Sequence, residues 1–374
     1  MSFGDRIVRP RPRWLERSVL GPLWALPLLL APAWVAVDAA NRLADRIDPW
    51  VRVASGLLAG SLTTWPEPLQ EILAGDYGFL TMGPLLLVWA TPVVVLHALL
   101  MGAYRASGVL DRLTTAVNPW LRPFGMTGQD LARVVMGFGC NVPAVISARS
   151  SPACSRRVCV SAIAFGSACS YQLGATLAVF AAAGRPGLTV LYLLYLGVTT
   201  LAYTRLVAPR AARSPFNVPL EGRPRLTWPS PRTVWLGARG VVREFFRAAL
   251  PIFFLITVAA SLLHWLNALQ AASVVFEPVM AAFRLPPEVA LAVVLASVRK
   301  EGILLLAEPG VATTLSAVQL LTAVYLAGVL LPCLVTCLTI AREQGRAFAL
   351  GLVGRQAVAA TGFSALLAWG GAWV

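Results

Sequence analysis

Gly137-Phe138-Gly139-Cys140-Asn141-Val142-Pro143 interrupts an otherwise apolar stretch over 131–148. Two glycines free the backbone, an asparagine suits the start of a new helix, and proline fits a first helical turn, where its missing N–H costs nothing. The pattern predicts two half-helices meeting at a break, with the Cys140 thiol beside unpaired backbone groups. A second apolar stretch, 288–307, is interrupted by Ser297-Val298-Arg299-Lys300-Glu301-Gly302. A charge near a bilayer centre costs at least about 2.5–3.5 kcal/mol on insertion scales, so three in a row need partners or water. Two readings are open at each place. Cys140 is a cation ligand or a small packed side chain at a kink. Arg299-Lys300-Glu301 is an ion-pair latch, or Glu301 lines a cation path while Lys300 pairs with carbonyls or an acid.

Further thiols fall within predicted spans. Cys169 lies in the polar patch Gly166-Ser167-Ala168-Cys169-Ser170-Tyr171-Gln172. Cys333 follows Pro332, where the helix is expected to break and leave carbonyls beside the thiols, with Thr336 and Cys337 one turn on. Thiolates suit soft or borderline metals and oxygen donors suit harder ones, so a mixed, weak set fits a borderline cation that enters and leaves. The expected path residues are Cys140, Asn141, Cys169, Ser170, Glu301, Cys333 and Thr336. Gly137, Gly139, Pro143, Lys300 and Pro332 are expected to shape the gate. Cys154 and Cys159, near a loop, read as incidental, and His97 and His264 as structural. No catalytic residues are expected, and no permanently bound cofactor.

The elements that position these residues follow from composition. Of 374 residues, 57% are hydrophobic and only 13% charged, against about 25% charged in soluble proteins. This excludes a soluble enzyme, a disordered scaffold and a secreted disulfide module, and predicts an all-α polytopic membrane protein. Seven segments are long and apolar enough to span: 20–37, 78–101, 158–183, 187–208, 248–267, 314–340 and 356–374. The net charge of +14 is read as positive-inside signal, not as a nucleic-acid surface. Arginines cluster in 1–17, 102–133, 149–157, 209–247 and 342–355, whereas 38–77 carries six acids and three arginines. The expected layout is therefore a basic cytoplasmic tail (1–17), a first span with an external interfacial segment (18–77), a first repeat (78–208), a basic cytoplasmic linker (209–247) and a second repeat (248–374).

The repeat rests on order and offset. Asn118-Pro119-Trp120-Leu121, with Phe124 and Met126, recurs at an offset of 159 as Glu277-Pro278-Val279-Met280, with Phe283 and Leu285. The same offset sets Cys140 and Asn141 on Arg299 and Lys300. His97 and His264 are offset by 167, and Cys169 and Cys333 by 164. Three full spans per half is an odd count, so the halves are expected to be inverted, with re-entrant broken helices facing each other near the midplane.

The motif from Gly137 to Ala144, with Arg149 after it, resembles the first Gate motif of the FeoB ferrous iron transporters. Met126-Thr127-Gly128 and Asp111-Arg112-Leu113 fit the lead-in of that family. Ser167-Ala168-Cys169-Ser170 resembles its cysteine-bearing helix, Lys300-Glu301 its second Gate, and Pro332-Cys333-Leu334-Val335-Thr336 with Arg342-Glu343 its late Pro-Cys segment. The resemblance runs from Leu15 to the end, with Arg299 and Cys337 as departures. It implies the membrane half of a permease importing Fe2+ across a bacterial inner membrane, with the N-terminus cytoplasmic. No Gly-Lys-Ser/Thr occurs, since the only lysine lies between Arg299 and Glu301, so a P-loop GTPase is expected on a separate protein. Expected partners are Fe2+, that GTPase or small soluble companions, the lipid bilayer and a second copy of the chain; nucleic acid is not among them. The alternatives are a Gate-fold transporter of another divalent metal or a nucleoside-like solute, and a non-transporting membrane subunit or regulator.

Overall fold

A computed structural model describes residues 20–75, 78–213, 226–308 and 310–371. The basic tail over 1–17 lies outside the described residues. Those described are helical and contain no strand. Among them, six helical segments are long and apolar enough to cross a bilayer: Gly21–Ser61, Leu87–Ala106, Ala153–Ala182, Leu188–Val207, Ala317–Gln344 and Arg346–Gly370. The chain is an all-α, multi-pass membrane protein.

The first helix, α1 (Leu20–Ser61), is much longer than the span read from sequence. Much of the segment assigned to an external interface continues this helix. Asp48 and Arg52 pair at i,i+4 along it, and the Trp89 indole donates to Asp48 at 3.3 Å. After α2 (Glu67–Ala74), the first half runs α3 (Phe79–Pro84), a π-helical turn (Leu85–Ala90), α4 (Thr91–Ala106), α5 (Val109–Leu121), α6 (Gly128–Gly137), α7 (Asn141–Ser147), α8 (Ala153–Gly166), α9 (Ser170–Ala182) and α10 (Leu188–Val207). The second runs α11 (Pro231–Glu244), a π-helical turn (Phe245–Ala249), α12 (Leu250–Trp265), α13 (Ala268–Ala281), α14 (Val289–Val298), a 3-10 segment (Lys300–Ala307), α15 (Ala317–Val329), α16 (Leu334–Gln344) and α17 (Arg346–Gly370).

Two boundaries differ from the sequence reading. The stretch 209–247 is not all linker, because helix begins at Pro231. Ser230 caps it, its hydroxyl accepting from the Thr233 N–H at 3.2 Å, and proline at the first helical position starts a helix instead of ending it. The last span begins at Arg346, directly after Gly345, whose φ of 92° turns the chain.

The backbone repeats as well as the sequence. The only two non-glycine residues with positive φ among those described are Asn267 (53°) and Arg284 (56°). Each lies at the repeat offset of 159 from a positive-φ glycine, Gly108 (73°) and Gly125 (74°) respectively. A left-handed residue at equal offset marks the same turn in both halves, and at Asn267 and Arg284 it is kept without the residue that makes it easy. His97 and His264 are not equivalents in this frame: His97 lies inside α4, whereas His264 sits in the last turn of α12 and pairs with Glu71 at 3.0 Å. Gln356 on α17 knits the halves together, its side-chain amide donating to the carbonyls of Ala164 (3.2 Å) and Val329 (2.8 Å) near the ends of α8 and α15.

Candidate cation path at four helix breaks

Each predicted break, including the one at Pro332, is a real interruption, and one more accompanies them. Between α6 and α7, Cys140 is extended (φ −155°, ψ 132°). Between α14 and the 3-10 segment, Arg299 takes nearly the same conformation (φ −142°, ψ 131°). The polar patch around Cys169 is also a break: α8 stops at Gly166 and Cys169 (φ −60°, ψ 165°) starts α9. Its counterpart Cys333 (φ −59°, ψ 150°) starts α16.

The breaks meet around the start of α9. The Ser170 N–H donates to the Gly139 carbonyl at 3.3 Å, tying the second break to the first. The Ser167 hydroxyl donates to the Val134 carbonyl at 2.7 Å. Gly137 gives the room this approach needs, because a Cβ would lie 2.5 Å from Ser167 Oγ and 2.8 Å from Asn141 Oδ1. Cys140, Cys169 and Cys333 lie within electrostatic reach of one another, as do Lys300 and Glu301 with Cys169.

The polar residues divide by what they hold. Asn141 does not cap α7. It is the first helical residue, and its amide reaches across to donate to the Ser167 carbonyl at 3.3 Å, while its Oδ1 is buried without a hydrogen-bond partner. Lys300 is buried and donates all three protons, to the carbonyls of Ala327 (3.3 Å), Gly328 (2.8 Å) and Leu331 (2.7 Å). These are orphan acceptors at the end of α15, where the helix dipole also favours a cation. Of the two readings open for Lys300, the structure gives pairing with carbonyls. Glu301 pairs with Arg299, the two side chains 16% and 8% exposed. Cys333 Sγ lies 3.0 Å from Thr336 Oγ1, and Cys337 Sγ donates to the Pro332 carbonyl at 3.5 Å. Pro143 is buried in the first turn of α7.

The other thiols are elsewhere. Cys159 is fully buried against the Asp130 carbonyl, and Cys154 lines a separate groove with Arg156 and Arg157. No cluster of three or more His, Cys, Asp or Glu suited to a metal occurs among the described residues.

Sequence reasoning missed Tyr171. Its hydroxyl is buried and unpartnered, within electrostatic reach of Glu301, Arg299, Cys169 and Cys140. Its place directly after Ser170, inside the polar patch, was the available signal. Across the halves, Arg149 and Glu343 form a two-pronged pair through both guanidinium Nε and Nη2, joining the end of the first broken segment to the end of α16.

The family model described as Gate: Nucleoside recognition matches residues 87–184, which include the first two breaks. The chain is 28% identical over 312 residues to the Fe(2+) transporter FeoB of Synechocystis, an alignment covering 77% of this chain and 49% of that protein. It is 27% identical over 205 residues to the Fe(2+) transporter FeoB of Escherichia coli K12, covering 52% of this chain and 26% of that protein. With the FeoB of Salmonella typhimurium it shares 26% over 224 residues, covering 56% and 28%. The chain thus spans about half the length of the first of these relatives and about a quarter of the others. No solved structure matches it. These similarities fall on the membrane region and carry the resemblance read from the motifs.

Proposed function

We propose that the chain is a permease that moves Fe2+ across a bacterial inner membrane through the four helix breaks. One observation carries this reading. Three cysteines, each at the start of a half-helix, stand at three of the four breaks within electrostatic reach of one another. Broken helices of this kind supply unwound carbonyls to a transported cation, and irregular backbone at membrane depth lines a cavity or is buried in protein. The relatives' printed name, Fe(2+) transporter, supports ferrous iron as cargo.

The roles follow from chemistry. Cys140, Cys169 and Cys333 supply sulfur, while Asn141 Oδ1, the Ser170 and Thr336 hydroxyls and Glu301 supply oxygen. Ferrous iron is borderline in softness and accepts both. Few charged donors and many neutral ones give weak binding, which transit requires. Arg299 tempers Glu301 by pairing with it, so the carboxylate attracts a cation without trapping it. Lys300 and the Asn141 amide are structural: the lysine claims three carbonyls at one break and the amide one at another.

The two halves are inferred to be inverted in the membrane, the N-terminus cytoplasmic, with a separate GTPase or small soluble proteins as companions and a second copy of the chain as a further partner. Uptake of radiolabelled Fe2+ under argon into proteoliposomes of the purified chain tests the function. Accumulation above protein-free vesicles is expected; parity with them overturns it.

A further inference from the structure

His97 is 2% exposed, and both its ring nitrogens are buried without a hydrogen-bond partner. Such a group is rare and calls for an explanation, because desolvating it without a partner costs stability. Its surroundings supply one. His97 lines a cavity of about 440 Å3 together with Met101, Met136 and Cys140. His97 and Met101 lie one turn apart on α4. Met136 and Cys140 flank the first break at i,i+4, where the Cys140 N–H donates to the Met136 carbonyl at 3.4 Å. The two pairs face one cavity. A Cβ on Gly139 would lie 3.4 Å from His97 Nδ1, so the imidazole rests directly on the break.

We propose that this cavity is a cation site built from one imidazole nitrogen and the sulfurs of Cys140, Met136 and Met101, taking a soft or borderline transition-metal cation. Imidazole, thiolate and thioether are the donors such cations prefer. The cavity's described lining holds no carboxylate, so hard Ca2+ and Mg2+, which favour charged oxygen ligands, are poorly served there. Arg105, the lining cation, and Thr233, the lining hydroxyl, are both exposed, and Arg105 sits two turns along α4 from His97, so neither stands beside the four donors deeper in the cavity. Cys140 belongs to both this cavity and the path across the breaks. The site is thus an antechamber in which a cation exchanges water for nitrogen and sulfur before passing Cys140. Its place in transport rests on the permease reading; its existence does not.

The chain has two histidines, and His264 is engaged with Glu71, so imidazole ligation is assignable to one residue. The test uses full-length protein without a histidine tag, in detergent under argon, with Co2+ as probe, read by cobalt X-ray absorption fine structure and equilibrium dialysis. Wild type and His264→Gln are expected to show imidazole and sulfur around the metal. His97→Gln should lose the imidazole signal and bind at least about tenfold more weakly, since even groups that only orient a ligand are worth about 10–100-fold. His97→Cys keeps a donor and should replace the nitrogen signal by added sulfur, which a failure to fold would not produce. Wild type lacking the imidazole signal at saturating Co2+, or His97→Gln and His97→Cys keeping it, overturns the site; a cavity that merely holds water gives the first of these. Vesicles that take up no Fe2+ while the cobalt signature stands would remove the permease reading and leave this site in place.

Discussion

Asn141 and Lys300 do the same work in the two halves. They are related by the repeat offset of 159, each is the first residue after an extended break residue, and each donates to a carbonyl in the next break. Asn141 reaches Ser167 and Lys300 reaches Leu331, and these acceptors are themselves related by the offset of 164 that relates Cys169 to Cys333. The amide claims one carbonyl, whereas the ammonium claims three. The chain's only lysine is thus explained by geometry: a single side chain with three protons satisfies a helix end that three amides would otherwise have to serve.

Loss of stability should follow the number of carbonyls left unpaired. Each buried acceptor stripped of its partner costs about 1–3 kcal/mol. Lys300→Met, which keeps the apolar stem, should therefore lower thermal stability in detergent well beyond Asn141→Ala. Equal melting temperatures for the two variants would contradict the pairing.

Gly137→Ala should destabilise the fold by about 1–3 kcal/mol, the usual cost of overpacking, because its methyl would press on Ser167 and Asn141 and part the first two breaks. Gly354→Ala is the control. Its Cβ meets nothing within 4 Å and it lies inside α17, so it should be neutral or stabilising by about 0.5–1 kcal/mol. Thermal unfolding of both variants checks the contrast; similar behaviour would mean the breaks tolerate more room than their geometry implies.

The first and third breaks were legible because their residues cannot continue an apolar helix. Gly137 and Gly139 weaken one, and the charges at 299–301 need partners in the other. The break before Cys169 was not legible as such. It carries one glycine and no proline, and is held by contacts from afar, Ser167 to Val134 and Ser170 to Gly139. Local propensity is silent where tertiary hydrogen bonds decide. The helix from Pro231 was hidden for the opposite reason: prolines and arginines suggested a loop, yet Ser230 and Pro231 form a helix start. Pairing His97 with His264 followed identity alone, and the backbone register, fixed by Gly108 with Asn267 and Gly125 with Arg284, separates them.

Glu301→Gln keeps the side chain's shape and removes its charge. If the carboxylate draws the cation into the path, Fe2+ uptake should fall by about tenfold, of the order seen when a metal's supporting shell is altered, with expression and melting temperature near wild type. Stability lost with uptake intact would instead make the Arg299–Glu301 pair a latch alone.

Cysteine-to-serine variants measured side by side for anaerobic Fe2+ uptake in proteoliposomes test the central claim most directly, because serine preserves size and removes the soft donor. Cys140→Ser, Cys169→Ser and Cys333→Ser should each cut uptake at unchanged protein level, while Cys154→Ser and Cys159→Ser, whose thiols lie away from the breaks, should transport like wild type. If all five variants transport like wild type, the three thiols at the breaks are packing residues and the cation path is elsewhere.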